Sequence, residues 1–194
     1  MAIDRQTFFD VMASFPSGVA VVTTTTDDGV PRGLTTTAVC SVSADPPTVL
    51  VSVDLGSRTL DALRRRGAFA VNFIGAGRSD LCLLFASKER DKFERVRWTS
   101  GASGLPLLHE DALAWAECTT LQEVEVGDHV VLIAQVENGG VRHELEPPIL
   151  YYRRSWECGR PSTSPTSRIR WRSTRSRSAV AICAGRGPSS ERPD

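Results

Sequence analysis

The sequence predicts a mainly β fold, a small antiparallel barrel with a few short helices outside it. Three observations lead there. Runs rich in valine and threonine recur between residues 19 and 153 with a two-residue period. Clusters of Gly, Pro and Asp separate them, as turns require. Helical periodicity is confined to short stretches, and a count of about seven or eight strands with two or three helices suits an antiparallel barrel.

Each element has its own local cause. Asp4 is a suitable N-cap, and Phe8, Val11, Met12 and Phe15 fall at helical spacing, so residues 4 to 14 form an amphipathic helix that ends before Pro16. Val19 to Thr25 and Gly33 to Val39 read as a strand and its return, joined through Asp27-Asp28-Gly29. Asp45-Pro46-Pro47 breaks the chain before Thr48 to Val53, where Val49, Val51 and Val53 alternate with Thr48, Leu50 and Ser52. Ser57 caps a short helix with Leu60 and Leu63 facing inward, and Gly67 stops it before the strand Ala68 to Ile74. Residues 78 to 86 are expected to be helical, 87 to 98 a polar connection, and 101 to 111 a Gly- and Pro-containing loop. Long strands Ala112 to Glu125 and His129 to Glu137 pair through Val126-Gly127-Asp128, and Ile149 to Arg153 is the last strand.

A chain of 194 residues with 41% apolar and 24% charged residues is expected to fold around one core. That core belongs to a domain over residues 1–154. From Ser155 onward the periodicity stops, and residues 155–194 hold nine Ser and eight Arg, which predicts a disordered tail or one translated out of frame. The tail's eight Arg face three acids, while residues 1–154 carry 15 basic and 20 acidic groups, so the net charge of zero is a cancellation. Neither nucleic acid nor a membrane is an expected partner. With no secretory h-region and no apolar run of the ~18–20 residues a span needs, the expected location is the cytoplasm. Five scattered cysteines without a C-x-x-C spacing predict reduced thiols, with Cys40, Cys82 and Cys118 as small buried hydrophobes.

Spacing disfavours several standard sites. Gly75-Ala76-Gly77 follows a strand, but Asp80 stands where the dinucleotide fingerprint needs its third glycine. Leu105 replaces the closing glycine of a nucleophile elbow after Gly101-Ala102-Ser103-Gly104. His109, His129 and His143 lack the spacing of a metal site, and no metal is expected.

Polar clusters at strand and helix ends remain. Thr35-Thr36-Thr37-Ala38 offers hydroxyls and N–H groups for the edge of a planar polar ring, although threonine also suits any half-exposed strand. Ser57-Arg58-Thr59 opens a helix, which suits a phosphate as well as an ordinary capped start. In Ser87-Lys88-Glu89-Arg90-Asp91-Lys92-Phe93 a solvated loop competes with a reading in which Lys88 meets a phosphate and Phe93 covers an aromatic ligand. His129, in the Gly127-Asp128-His129 turn, is either a surface residue or a rim contact to a cofactor.

Together the series Gly33-Leu-Thr-Thr-Thr-Ala-Val-Cys-Ser-Val-Ser43, Asp45-Pro-Pro-Thr-Val-Leu-Val-Ser52, Ser57-Arg-Thr59, Phe69-Ala-Val-Asn-Phe73, Lys92-Phe93 and Gly127-Asp-His129 resembles the flavin reductase domain family. Its members are the NAD(P)H-dependent reductase components of two-component flavin monooxygenases. The resemblance covers about Phe8 to Arg154. It implies an antiparallel split β-barrel of the FMN-binding kind, and a homodimer that binds FAD or FMN near its interface. It also implies NADH or NADPH as hydride donor and a monooxygenase that receives the reduced flavin.

On that resemblance Thr35, Thr36, Thr37, Ala38 and Val39 line the isoalloxazine ring and ribityl chain, and Ser52, Val53 and Asp54 add backbone contacts. Ser57, Arg58 and Thr59 take the phosphate. Phe85, Ala86, Ser87 and Lys88 take the remaining phosphate or adenine side, and His129 meets the nicotinamide nucleotide. Hydride transfer between two stacked rings needs no protein nucleophile, which agrees with the missing triad. A split-barrel flavoprotein oxidase of the pyridoxamine-phosphate-oxidase kind and a non-catalytic flavin-carrying barrel stay open as alternatives.

Overall fold

The computed structural model describes residues 2–142 and 146–158. α1 (Arg5–Ala13) precedes β1 (Ser17–Gly18), β2 (Ala20–Thr25), β3 (Pro31–Thr36), β4 (Val39–Ala44) and β5 (Pro47–Asp54). Then come α2 (Leu60–Arg66), β6 (Ala68–Ile74), α3 (Ser79–Ala86), a 3-10 turn over Lys92–Arg95, and a small hairpin of β7 (Thr99–Ser100) and β8 (Pro106–Leu107). The long strands β9 (Ala112–Val126) and β10 (His129–Val141) follow, with β11 (Ile149–Tyr152) and β12 (Ser155–Cys158) last.

Seven strands form one antiparallel sheet in the order β3-β2-β6-β9-β10-β5-β4. Its two edges are consecutive in the chain, which fixes its shape. Six strand spacings would hold the edges about 29 Å apart in a flat sheet. Three Cα steps from Thr36 to Val39 reach at most about 11 Å. The sheet therefore curls until β3 and β4 meet at the corner Thr37-Ala38. There the Ser52 N–H donates to the Ala38 carbonyl at 3.0 Å, and the Ala38 N–H donates to Thr36 Oγ1 at 3.0 Å.

The interior of the curl is filled by Ala20, Val22, Val51, Val53, Phe69 and Val71, among others, with Leu60 and Leu63 of α2 closing it. A second apolar layer lies on the other side of β2, where Val19 and Val21 meet Leu81, Cys82 and Phe85 of α3 and Ile149 of β11. β2 is thus buried on both faces, as its unbroken Val-Val-Thr-Thr run allows. Its buried hydroxyls are satisfied: Thr23 donates to the Pro106 carbonyl at 2.5 Å and Thr24 to the Ala68 carbonyl at 2.8 Å. Glu117 is fully buried, and its carboxylate accepts from the N–H groups of Ala102 (3.1 Å) and Ser103 (2.8 Å) and from Asn138 Nδ2 (3.0 Å).

The helix from Asp4, the strand Ala68–Ile74 and the long β9–β10 pair match their sequence patterns. Asp4 caps α1 by accepting the Thr7 N–H. Other expectations change. Gly33 to Val39 is not one strand, because the curl breaks it at Thr37-Ala38, and β4 is a separate strand that the sequence reading did not include. The residue capping α2 is Thr59, not Ser57, and Ser57 Oγ instead accepts the Thr59 N–H at 3.3 Å. Gly67 ends α2 in the left-handed region, as expected. Within 101–111, Pro106 and Leu107 form β8, and Leu105 and Leu108 are fully buried.

Cys40 is exposed on edge strand β4, against expectation, while Cys82 and Cys118 are buried. Strand structure extends past the expected boundary at residue 154, to 158: β12 pairs with β11 through a turn in which Arg153 and Arg154 have φ of 48° and 64°. The remainder of the Arg/Ser-rich tail, residues 159–194, lies outside the described residues, as does His143. Among the described residues no helix is long and apolar enough to cross a membrane.

Candidate functional site

Three of the polar clusters and strand β5 are tied by side-chain hydrogen bonds. Thr35 Oγ1 on β3 donates to the Cys82 carbonyl of α3 at 2.7 Å. Thr59 Oγ1 donates to the Gly33 carbonyl of β3 at 3.2 Å. Arg58 donates to the carbonyls of Lys88 and Glu89 just beyond α3, the latter at 3.3 Å. Thr36 Oγ1 lies 3.4 Å from the Ser52 carbonyl of β5. β3 and its corner, β5, the turn 57–59 and α3 with the residues just past it are therefore tied to one another.

His129 joins them through sheet register. It lies across from Asp54 in the β10–β5 pairing, and the Leu55 N–H donates to the Asp128 carbonyl at 2.9 Å. Its half-exposed ring pairs with its neighbour, Nδ1 lying 2.7 Å from Asp128 Oδ1. That hydrogen bond is the main reason the Asp128 carboxyl is held below its usual range. The contact fixes the ring and leaves Nε2 as its outward nitrogen.

The residues differ in what they can offer a ligand. Thr37, Ala38, Arg58, Ala86 and Lys88 are exposed, and Thr35, Thr36, Val39, Ser52, Ser57 and Ser87 are partly so. Val53 and Thr59 are buried, and the Thr59 hydroxyl is occupied by Gly33. Phe85 is 1% exposed, so its ring belongs to the core. Phe93 packs edge-on against Phe85 with centroids 5.1 Å apart and against Trp98 at 5.9 Å. Asp54 accepts the Gly56 N–H at 2.6 Å and shapes the turn that leads to Ser57.

Lys92 was hidden by its setting. Inside a strongly charged run it reads as solvated, yet it is 8% exposed, with Nζ donating to the Phe85 carbonyl at 2.7 Å. Only its place in the Lys92-Phe93 pair of the family resemblance sets it apart from Lys88. Arg58 and Glu89 both act on the Lys92 charge. The exposed Arg58 and Lys88 fit the phosphate of a flavin nucleotide, while the hydroxyls and N–H groups at the corner fit a ring edge.

Among the described residues no group of His, Cys, Asp and Glu is arranged to hold a metal ion. The family model described as "Flavin reductase like domain" matches residues 12–158. The chain belongs to the flavin reductase like domain family. It is 44% identical over 155 residues to a flavin reductase (NADH) of Kitasatospora aureofaciens, covering 79% of this chain and 81% of that one. A flavin reductase (NADPH) of Lentzea aerocolonigenes is 39% identical over 152 residues, covering 78% and 88%. In structure, this family member is similar to the NADH:FAD oxidoreductase of Streptomyces globisporus C-1027, solved in complex with NAD and FAD fragments. The TM-score is 0.77 at 31% identity, over 83% of this chain and 96% of that one.

Proposed function

We propose that this chain is an NAD(P)H:flavin oxidoreductase that passes hydride from NADH or NADPH to FAD or FMN and supplies reduced flavin to a partner monooxygenase in the cytoplasm. One observation carries the reading: β3 at Gly33 and Thr35, the Ser57–Thr59 turn, and α3 with the residues just past it are tied to one another by side-chain hydrogen bonds. Bound there, the flavin supplies the hydride-accepting ring system, and the chain supplies position. The corner hydroxyls and N–H groups hold the ring edge. Ser57, Arg58 and Lys88 hold the phosphate end, and His129 meets the nicotinamide nucleotide from the rim. No residue of the chain needs to form a covalent bond with substrate.

The proposed protein is a homodimer. Val11, Met12 and Phe15 of the α1 segment are 59%, 51% and 67% exposed, and no residue of α1 is buried in the single chain. A contiguous apolar face of this kind is the mark of an interface. Anaerobic mixing with NADH or NADPH and FAD or FMN tests the activity: the flavin absorbance bleaches with at least one pair, and no bleaching with any pair would refute it. Sedimentation of the purified chain as a monomer at all concentrations would refute the dimer.

A further inference from the structure

The chain holds two asparagines, and the fold treats them in opposite ways. Asn72 on β6 is buried with its amide engaged at both ends: Nδ2 donates to the Val21 carbonyl at 3.1 Å and to Thr23 Oγ1 at 3.2 Å, and Oδ1 accepts the Leu108 N–H at 2.9 Å. Asn138 on β10 is exposed and precedes a glycine. The pairing of β10 with β5 runs from His129 to Gln135, short of this position, and its register with β9 shifts between Val136 and Asn138. At this irregular stretch the Gly139 N–H donates to Asn138 Oδ1 at 2.9 Å. Its nitrogen therefore faces the side-chain amide, whose carbonyl carbon is the electrophile in succinimide formation.

Two packing demands fix the pair. A Cβ at Gly139 would lie 2.8 Å from the Trp115 carbonyl oxygen, so this position has no room for a side chain. A bare glycine leaves its nitrogen open to approach. Asn138 also supplies Nδ2 to the buried Glu117 carboxylate at 3.0 Å, the same carboxylate that accepts from the Ala102 and Ser103 N–H groups at 3.1 and 2.8 Å. The amide is thus aligned, Oδ1 toward Gly139 and Nδ2 toward Glu117. Alignment of this kind speeds an intramolecular step by holding the reacting groups close to attack.

We propose that Asn138-Gly139 is a site of spontaneous deamidation in the folded chain, and that the acid it creates loosens the loop at 101–103. The Gly139 nitrogen gives up its proton to water and bonds to Asn138 Cγ. The Cγ–Nδ2 bond breaks, and the departing nitrogen takes a proton from water to leave as ammonia. A second water opens the succinimide to aspartate or isoaspartate, with no change of oxidation state. Where an N–H donated to Glu117, a carboxylate then stands, and a hydrogen bond becomes a like-charge contact. Isoaspartate also adds a backbone carbon to β10 and spoils its register with β9.

The full chain is incubated at mildly alkaline pH in heavy-oxygen water, native and unfolded in urea, and peptide mapping follows both asparagines. In the native chain residue 138 gains the heavy oxygen at a rate within about tenfold of the unfolded rate, whereas residue 72 is protected far more strongly. Protection of residue 138 by more than about tenfold overturns the proposal, because the strand would then shield the pair. Amide exchange at Ala102 and Ser103 reads the consequence, on the deamidated wild-type chain and on Asn138→Asp, the product made directly. It rises at least about tenfold in both, and the stability lost in Asn138→Asp with Glu117→Gln is less than the two separate losses together, since a glutamine amide can donate to the new carboxylate. Unchanged exchange in the deamidated chain, or losses that simply add, would mean that the loop does not depend on Asn138 and would overturn its release.

Discussion

Replacing Gly33 by alanine tests how tightly the site is built. A Cβ at Gly33 would lie 2.7 Å from Cε1 and 2.9 Å from Cδ1 of Phe85, and 3.2 Å from the Val22 carbonyl oxygen. The ring cannot swing freely, since it is fully buried with Phe93 edge-on beside it. Overpacking of this kind costs about 1–3 kcal/mol. Alanine recovers roughly 0.5–1 kcal/mol by restricting the unfolded chain. The net loss is centred at about 1 kcal/mol and reaches about 2.5 kcal/mol, which lowers Tm by roughly 2–4 °C at its centre and by about 10 °C at most in a domain of this size.

Displacing Phe85 also disturbs the Gly33 and Phe85 carbonyls that Thr59 and Lys92 hold, so flavin affinity falls by about fivefold, or about 1 kcal/mol. Thermal unfolding and flavin fluorescence titration read the two effects. Gly18→Ala is the control, because nothing lies within 4 Å of its Cβ position and its backbone is outside the left-handed region. It should be neutral or mildly stabilising. A Gly33→Ala protein with wild-type Tm and flavin affinity would show that Phe85 yields without consequence and that the reasoning is wrong.

His129→Ala should raise the KM for the nicotinamide nucleotide more than that for flavin in steady-state NAD(P)H oxidation, and equal changes would remove its assigned role. Glu117→Gln sets an amide N–H against donors that now meet a carboxylate, at a cost of about 2–3 kcal/mol in urea unfolding; a cost near zero would mean the loop at 101–103 holds without it. Burial pushes the thiols of Cys82 and Cys118 up to about 12. Both stay protonated and resist iodoacetamide at pH 9 until the chain unfolds, and peptide mapping that finds either alkylated in the native protein would contradict this.

The parts of the fold that declared themselves did so through local chemistry. Asp4 and Gly67 are caps with recognisable residues, and the Val126-Gly127-Asp128 turn joins two strands too long to mistake. The corner at Thr37-Ala38 carries no Gly or Pro, because curvature of the whole sheet breaks the strand there. The β11–β12 turn was equally silent, since two arginines occupy left-handed positions that Asn-Gly would ordinarily mark. Of the candidate site, the hydroxyl and guanidinium clusters were readable from side-chain type at element ends. The inward turn of Lys92 was not, because burial of one charge within a charged run depends on carbonyls contributed by distant segments. Phe85, which the resemblance sets beside the ligand, turns its ring into the core through packing with α3, β2 and Phe93.

Where β3 gives way to β4, a seam remains at which the corner is tied to β5 by the backbone bond from Ser52 to Ala38 and by the Thr36 hydroxyl. A planar heterocycle lodged at that seam would serve as a keystone, its polar rim standing in for the rungs a full ladder supplies. Loading the protein would then stiffen it and unloading would slacken it, by an amount set by occupancy.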